Sequence, residues 1–237
     1  MTEPLIILAA TAASIGLVHT LIGPDHYVPF IALAGARKWS LSKTLGITAV
    51  CGVGHVLGSV VLGGLGILLG LALGGLEWFE GFRGEIAGWL LLGFGLAYMA
   101  WGLRQAYRNR PHSHWHSHGD VTHDHLHTHH EAHAHLHEKP AAARSLAPWL
   151  IFVIFVLGPC EPLIPLLMYP AARESLAGVI MVSVVFGAVT VATMLLAVFL
   201  SVLGLRNIKL KPFERYGHAL AGGAILVCGL SVAFLGL

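Results

Sequence analysis

The chain has 237 residues, of which 56% are hydrophobic and only 11% charged, with a formal net charge of +2. Soluble domains carry about 25% charged residues, so this composition excludes a soluble domain with a solvated surface and predicts an all-α membrane protein. The three cysteines, Cys51, Cys160 and Cys228, sit far apart in apolar runs with no CxxC pair, which excludes a disulfide framework and a zinc ribbon. The few charges lie in the loops and give no sign of a nucleic-acid partner. The bilayer is the first partner implied.

Six spans are predicted. The first covers Leu5 to Ala36, and within it stands His19-Thr20-Leu21-Ile22-Gly23-Pro24-Asp25-His26. No basic segment precedes this run, and its polar residues argue against a cleaved signal peptide. An ionisable side chain inside such a run is a functional-site hypothesis by default. In an unbroken helix His19 and His26 would lie roughly 10 Å apart, at about 1.5 Å rise per residue. Gly23-Pro24 predicts a break, because proline removes a donor and its ring clashes with the preceding turn. A break lets His19, Asp25 and His26 converge on one cation.

The second span, Thr44 to Leu76, is glycine-rich and carries Cys51 and His55 at i, i+4, on one helix face. His55 is a candidate ligand. Cys51 is an accessory one, also readable as a buried thiol beside small residues. The third span is Ile86 to Leu103.

Between the third and fourth spans lies a polar tract with 12 of the 16 histidines: His112, His114, His116, His118, His123, His125, His127, His129, His130, His133, His135 and His137. Such a composition builds no core and is expected to be disordered. Neutral imidazoles bind first-row transition metals, so the tract reads as an accessory, metal-collecting loop.

The fourth span, Leu146 to Ala172, contains Gly158-Pro159-Cys160-Glu161-Pro162, which resembles the first break in context. Cys160 and Glu161 are added to the candidate site, Glu161 as ligand or proton carrier. The fifth span is Ser175 to Leu205. The sixth runs from Tyr216 to the C-terminus, with His218 near its start as a further accessory candidate.

The predicted organisation is therefore a first three-helix half (1–105), a His-rich loop (106–145) and a second three-helix half (146–237). The two halves form inverted repeats, each opening with a broken helix. Glycine- or proline-interrupted segments at matching positions of two halves point to a transport site near the bilayer midplane. Of the 14 lysines and arginines, 12 fall in the loops after spans one, three and five. The positive-inside rule then puts the His-rich loop in the cytoplasm and both termini outside, in the cytoplasmic (inner) membrane. Trp39, Trp78 and Trp149 stand near span ends, where amphipathic rings are favoured.

In His19-x5-Asp25-His26, in Gly54-His55 and in the histidine-rich loop, the chain resembles the nickel/cobalt transporter superfamily, in the branch of urease-accessory-type permeases and nickel/cobalt efflux proteins. The resemblance implies a six-span metal transporter that uses His19, Asp25, His26 and His55 as ligands. The spacing is one residue longer than the His-x4-Asp-His of the uptake permeases. Gly158-Pro159-Cys160-Glu161-Pro162 also resembles the Pro-Cys breaks of membrane thiol–disulfide electron carriers, but the matching first-half position holds Asp25-His26 rather than a second cysteine.

The expectation is a non-enzymatic transporter with a divalent first-row transition metal ion as substrate, nickel or cobalt first, zinc or copper next. Export is favoured over uptake, with coupling to protons. A nucleotide-binding Gly-x4-Gly-Lys-Ser/Thr motif does not occur in the sequence.

Overall fold

The structure, a computed structural model, describes residues 3–70, 73–108, 112–118, 121–127, 147–173, 175–206 and 215–236. The first span is interrupted where the proline demands it. Helix α1 (Glu3–Ile22) ends before Gly23, a single 3-10 turn covers Pro24–His26, and α2 (Val28–Ala36) resumes with Pro29 in its first turn. Proline is tolerated there because a first-turn N–H has no intrahelical acceptor. Next come α3 (Leu41–Leu68), capped by the Ser40 hydroxyl accepting from the Lys43 N–H, and α4 (Leu73–Arg108). The expected fourth span is two shorter apolar helices, α5 (Ala147–Leu157) and α6 (Leu163–Ala172), with Gly158 to Pro162 between them. Helices α7 (Leu176–Arg206) and α8 (Gly217–Leu235) complete the bundle.

Five of these helices, α1, α3, α4, α7 and α8, are long and apolar enough to cross a membrane, as about 20 apolar residues do. Their outer faces are apolar. Leu17, Val18, Leu21 and Ile22 of α1, Val50, Val53, Leu57 and Val61 of α3, and Ile180, Val184, Leu196 and Leu200 of α7 are all exposed. A protein in water does not present stripes of this extent, so the architecture is that of a multi-pass membrane protein.

Two boundaries differ from those expected. The second span stops at Leu68 rather than Leu76, and the third begins at Leu73 rather than Ile86. The charges at Glu77, Glu80, Arg83 and Glu85 read as a loop by composition. In the structure they are helical: Glu77 and Glu85 face outward and Glu80 is buried.

In the central tract, expected to be without regular structure, the described residues form an antiparallel ribbon of β1 (His112–His118) and β2 (Val121–His127), with His112 opposite His127. The sequence signal for it is an alternating pattern on both sides of a two-residue Gly-Asp step. The remaining histidines of the tract, His129, His130, His133, His135 and His137, lie outside the described residues.

Helix α4 packs along α8, and α1 along α7, while α3 lies against α7 and the α5–α6 pair. On the α4–α8 face a Cβ at Gly95, Gly102, Gly222 or Gly229 would collide with backbone of the opposite helix. Small residues thus let two backbones approach in an environment where packing, not hydrophobicity, drives association. The buried side chains form two clusters. One gathers Phe30, Leu33, Cys51, Leu91, Tyr98, Phe155 and Ile225. The other gathers Ala12, Cys160, Leu163, Leu167, Val182 and Phe186. The two breaks meet between them.

Candidate metal centre

The first break brings residues of one short segment together, and α3 supplies a third from across the bundle. His19 stands in the last turn of α1, His26 ends the 3-10 turn, and His55 projects from the middle of α3. The His19 and His26 ring centroids are 4.8 Å apart, and those of His26 and His55 are 5.0 Å apart. One nitrogen from each ring lies within 4.8 Å of the others. Nitrogens on one tetrahedral ion with bonds near 2 Å are about 3.3 Å apart. Capture of an ion therefore has to draw the three rings inward by about an ångström, not rebuild the site.

Hydrogen bonding fixes which nitrogen each ring offers. His26 Nδ1 lies 3.1 Å from the Gly23 carbonyl oxygen and 3.1 Å from Asp25 Oδ1. Both partners are acceptors, so Nδ1 carries the proton and Nε2 keeps its lone pair. His55 Nδ1 donates to the Phe155 carbonyl at 3.2 Å, which leaves its Nε2 in the same state. Both Nε2 atoms are buried, and neither has a hydrogen-bond partner. Buried polar atoms are ordinarily satisfied. Two orphaned imidazole nitrogens beside a third histidine form a donor set, with the outer N–H groups anchored on a carboxylate and a carbonyl, as in metal-binding histidines generally.

The glycine of each break makes room for an imidazole. A Cβ on Gly23 would stand 2.6 Å from His26 Nδ1, and one on Gly158 would stand 3.1 Å from His55 Nδ1. Cys160, in the second break, is fully buried, with Sγ 4.0 Å from His19 Nε2. That sulfur stands next to His19 and outside the set of three gathered nitrogens. Asp25 stands behind His26 rather than among the gathered ligand atoms. Glu161 is exposed and lines a cavity of about 640 Å³ that also reaches His19, Asp25 and His26.

The two accessory candidates near the spans are elsewhere. Cys51 is packed in the apolar core, in a different cluster from Cys160. His218 accepts or donates at the Tyr98 hydroxyl, 2.9 Å away, and that hydroxyl also takes a bond from Arg37 Nε at 3.1 Å.

Three residues at or beside the centre escape a reading by motif. Glu85 lines the same cavity as Glu161. Glu80, fully buried on α4, accepts from the Cys160 N–H at 3.0 Å. Arg83, one turn on, donates to the Gly158 carbonyl at 2.9 Å and to Glu80 at 3.1 Å. The signal available was an acid and a base at i, i+3 against an apolar span. Comparisons of the chain with family models, with curated proteins and with solved structures find no match.

Proposed function

We propose that this protein carries a divalent first-row transition metal ion across the cytoplasmic membrane, with nickel or cobalt as the foremost substrates and zinc or copper next. The observation that carries this reading is the pair of buried, unpartnered Nε2 atoms on His26 and His55, whose rings gather with that of His19 beside two helix interruptions. Nitrogen donors suit nickel, cobalt, copper and zinc, and a nearby thiol leans the same way. Magnesium and calcium prefer oxygen shells.

In this reading His19, His26 and His55 bind the ion. Asp25 orients His26, and Cys160 and Glu161 are the further groups within the ion's path. The packing supports an inverted repeat. Pairing α1–α2 with α5–α6, α3 with α7, and α4 with α8 carries several of the contacts onto one another: α1 with α7 matches α5 with α3, and α2 with α8 matches α6 with α4, whereas α4 with α5 has no such match. The two halves rock about the centre and expose it to each side in turn. Proton coupling follows from ligand chemistry, since imidazole and thiol must be deprotonated to bind metal. The distribution of lysine and arginine supports a cytoplasmic His-rich loop, where it would gather metal for export.

The decisive experiment is flux into and out of liposomes containing the purified protein, with a panel of divalent metals. Metal-dependent flux that is lost in His26→Ala and in His55→Ala supports the reading. Undiminished flux in those variants, or binding without movement, refutes it.

A further inference from the structure

The two breaks differ in how their freed backbone groups are satisfied. The first break provides for itself: His26 Nδ1 bonds the Gly23 carbonyl, and Asp25 lies alongside. The second break has no buried charge of its own. Its Gly158 carbonyl and Cys160 N–H are bonded by Arg83 and Glu80 of α4.

These two side chains form one network with α3. Arg83 Nη2 lies 2.5 Å from the Ser59 hydroxyl, 3.1 Å from Glu80 Oε2 and 2.9 Å from the Gly158 carbonyl, three acceptors that share its two N–H groups. Glu80 is fully buried and Arg83 is 16% exposed. The surrounding backbone is fitted to the break. A Cβ on Gly84 would meet the Pro159 ring at 2.7 Å, and one on Gly58 would meet the Val156 carbonyl at 2.9 Å.

A buried ion pair seldom adds net stability over apolar side chains of the same volume. Its presence in an apolar span therefore asks for another use. The only peptide groups it holds among the described residues flank Pro159, and one of them belongs to Cys160. The Cys160 sulfur lies 4.0 Å from His19 Nε2, close to the spacing of two ligands on one tetrahedral ion.

We propose that Glu80 and Arg83 are positioning residues: the pair clamps the second break so that the Cys160 thiolate completes the three-imidazole centre, and thereby biases the site toward thiophilic metal ions. This rests on the metal-transport reading above, for the same centre. Binding balances as loss of the Cys160 thiol proton to solvent and formation of one sulfur–metal bond, with no change of oxidation state.

The test is optical absorption of the full-length protein in detergent, loaded with cobalt(II). Imidazole ligands in a tetrahedral site give visible d–d bands. A coordinated thiolate adds a near-ultraviolet sulfur-to-cobalt band, which the His-rich loop, lacking cysteine, is unable to produce. Difference spectra against His55→Ala remove the loop's share of the visible signal.

Cys160→Ser should lose the sulfur band and keep the visible ones. The double variant Glu80→Leu/Arg83→Met leaves no uncompensated charge, so it is the one expected to fold. It should lose the sulfur band to nearly the level of Cys160→Ser, with visible bands retained. Its preference for cadmium over manganese, read by competition, should fall about tenfold, as when outer partners of a ligand are removed. Arg83→Lys keeps the charge and the donors and should restore part of the band. Ser59→Ala removes one anchor of Arg83 without touching either charge and should weaken the band by a smaller factor.

A double variant with the full sulfur band and the wild-type metal preference overturns the proposal. So does a wild-type protein with visible bands but no sulfur band, which leaves the imidazole centre intact. Absence of both band sets in the wild type overturns the metal reading itself, and the proposal with it.

Discussion

The two nitrogens of His26 have separate duties. Nδ1 is tied to Asp25 and to the Gly23 carbonyl, and Nε2 is left bare in the protein interior. Replacing Asp25 with Asn keeps the shape but removes the anionic acceptor that holds the tautomer. Metal affinity, measured by competition titration in detergent, is expected to fall by about 10- to 100-fold without vanishing. His26→Ala should abolish it at this centre. Gly23→Ala should behave like His26→Ala, because the added methyl takes space now held by the ring at 2.6 Å and by the Asp25 carboxylate at 2.8 Å. Ionisable residues in an apolar run stand out in a sequence, so His19, Asp25, His26 and His55 were legible. The division of labour among them was not. Spacing does not say which ring atom meets a carbonyl, and it took the 3-10 turn to set Asp25 behind the ring instead of among the gathered nitrogens.

At the level of the helix, prolines and glycines carried most of what could be foreseen. Pro24 and Pro159 each ended a helix where the missing N–H required it. Helix α4 was the part misjudged. Its first turns carry Glu77, Glu80, Arg83 and Glu85, and charge density of that kind reads as a loop until one side of the helix is seen to face the second break. A second pattern also lay unread in α4: Gly88, Gly95 and Gly102 recur every seventh residue and line the contact with α8. Gly95→Leu should therefore drive α4 from α8, lowering the detergent melting temperature and flux together. Gly93→Ala, where a Cβ meets nothing within 4 Å, should leave both close to wild type. A fall in both variants alike would mean that close backbone approach is not what joins these helices.

For the whole molecule, the two halves and the loop between them make separable predictions. Deleting residues 112–137 removes all twelve tract histidines and no residue of the bundle. Liposome flux should persist, with a lower rate or weaker apparent affinity at low metal concentration. Complete loss of flux would make the tract part of the pathway. Sidedness is testable with a cysteine at Ser117: Ser117→Cys in intact cells should resist an impermeant maleimide and label after permeabilisation. The all-α, multi-pass character was visible in hydropathy, because bilayer thickness sets a length that composition reveals, and five helices reach it. The exact helix ends were not, since polar residues that pack inward look the same in sequence as those that face water.

The cavity that meets His19 and His26 is also lined by Val232 and Phe234, from the last turns of α8, and by Gly236 just after it. In the opposite direction the rings are stoppered: Phe30 lies against Phe155 at 4.7 Å, and beyond them Arg37, Tyr98 and His218 lash α2, α4 and α8 together. The conformation is thus lopsided, with an antechamber on one flank and a plug on the other. A histidine-directed reagent too large to pass the plug should quench metal binding when applied from the antechamber flank alone. Loosening the plug with Phe30→Ala should raise passive metal leakage through the protein in liposomes.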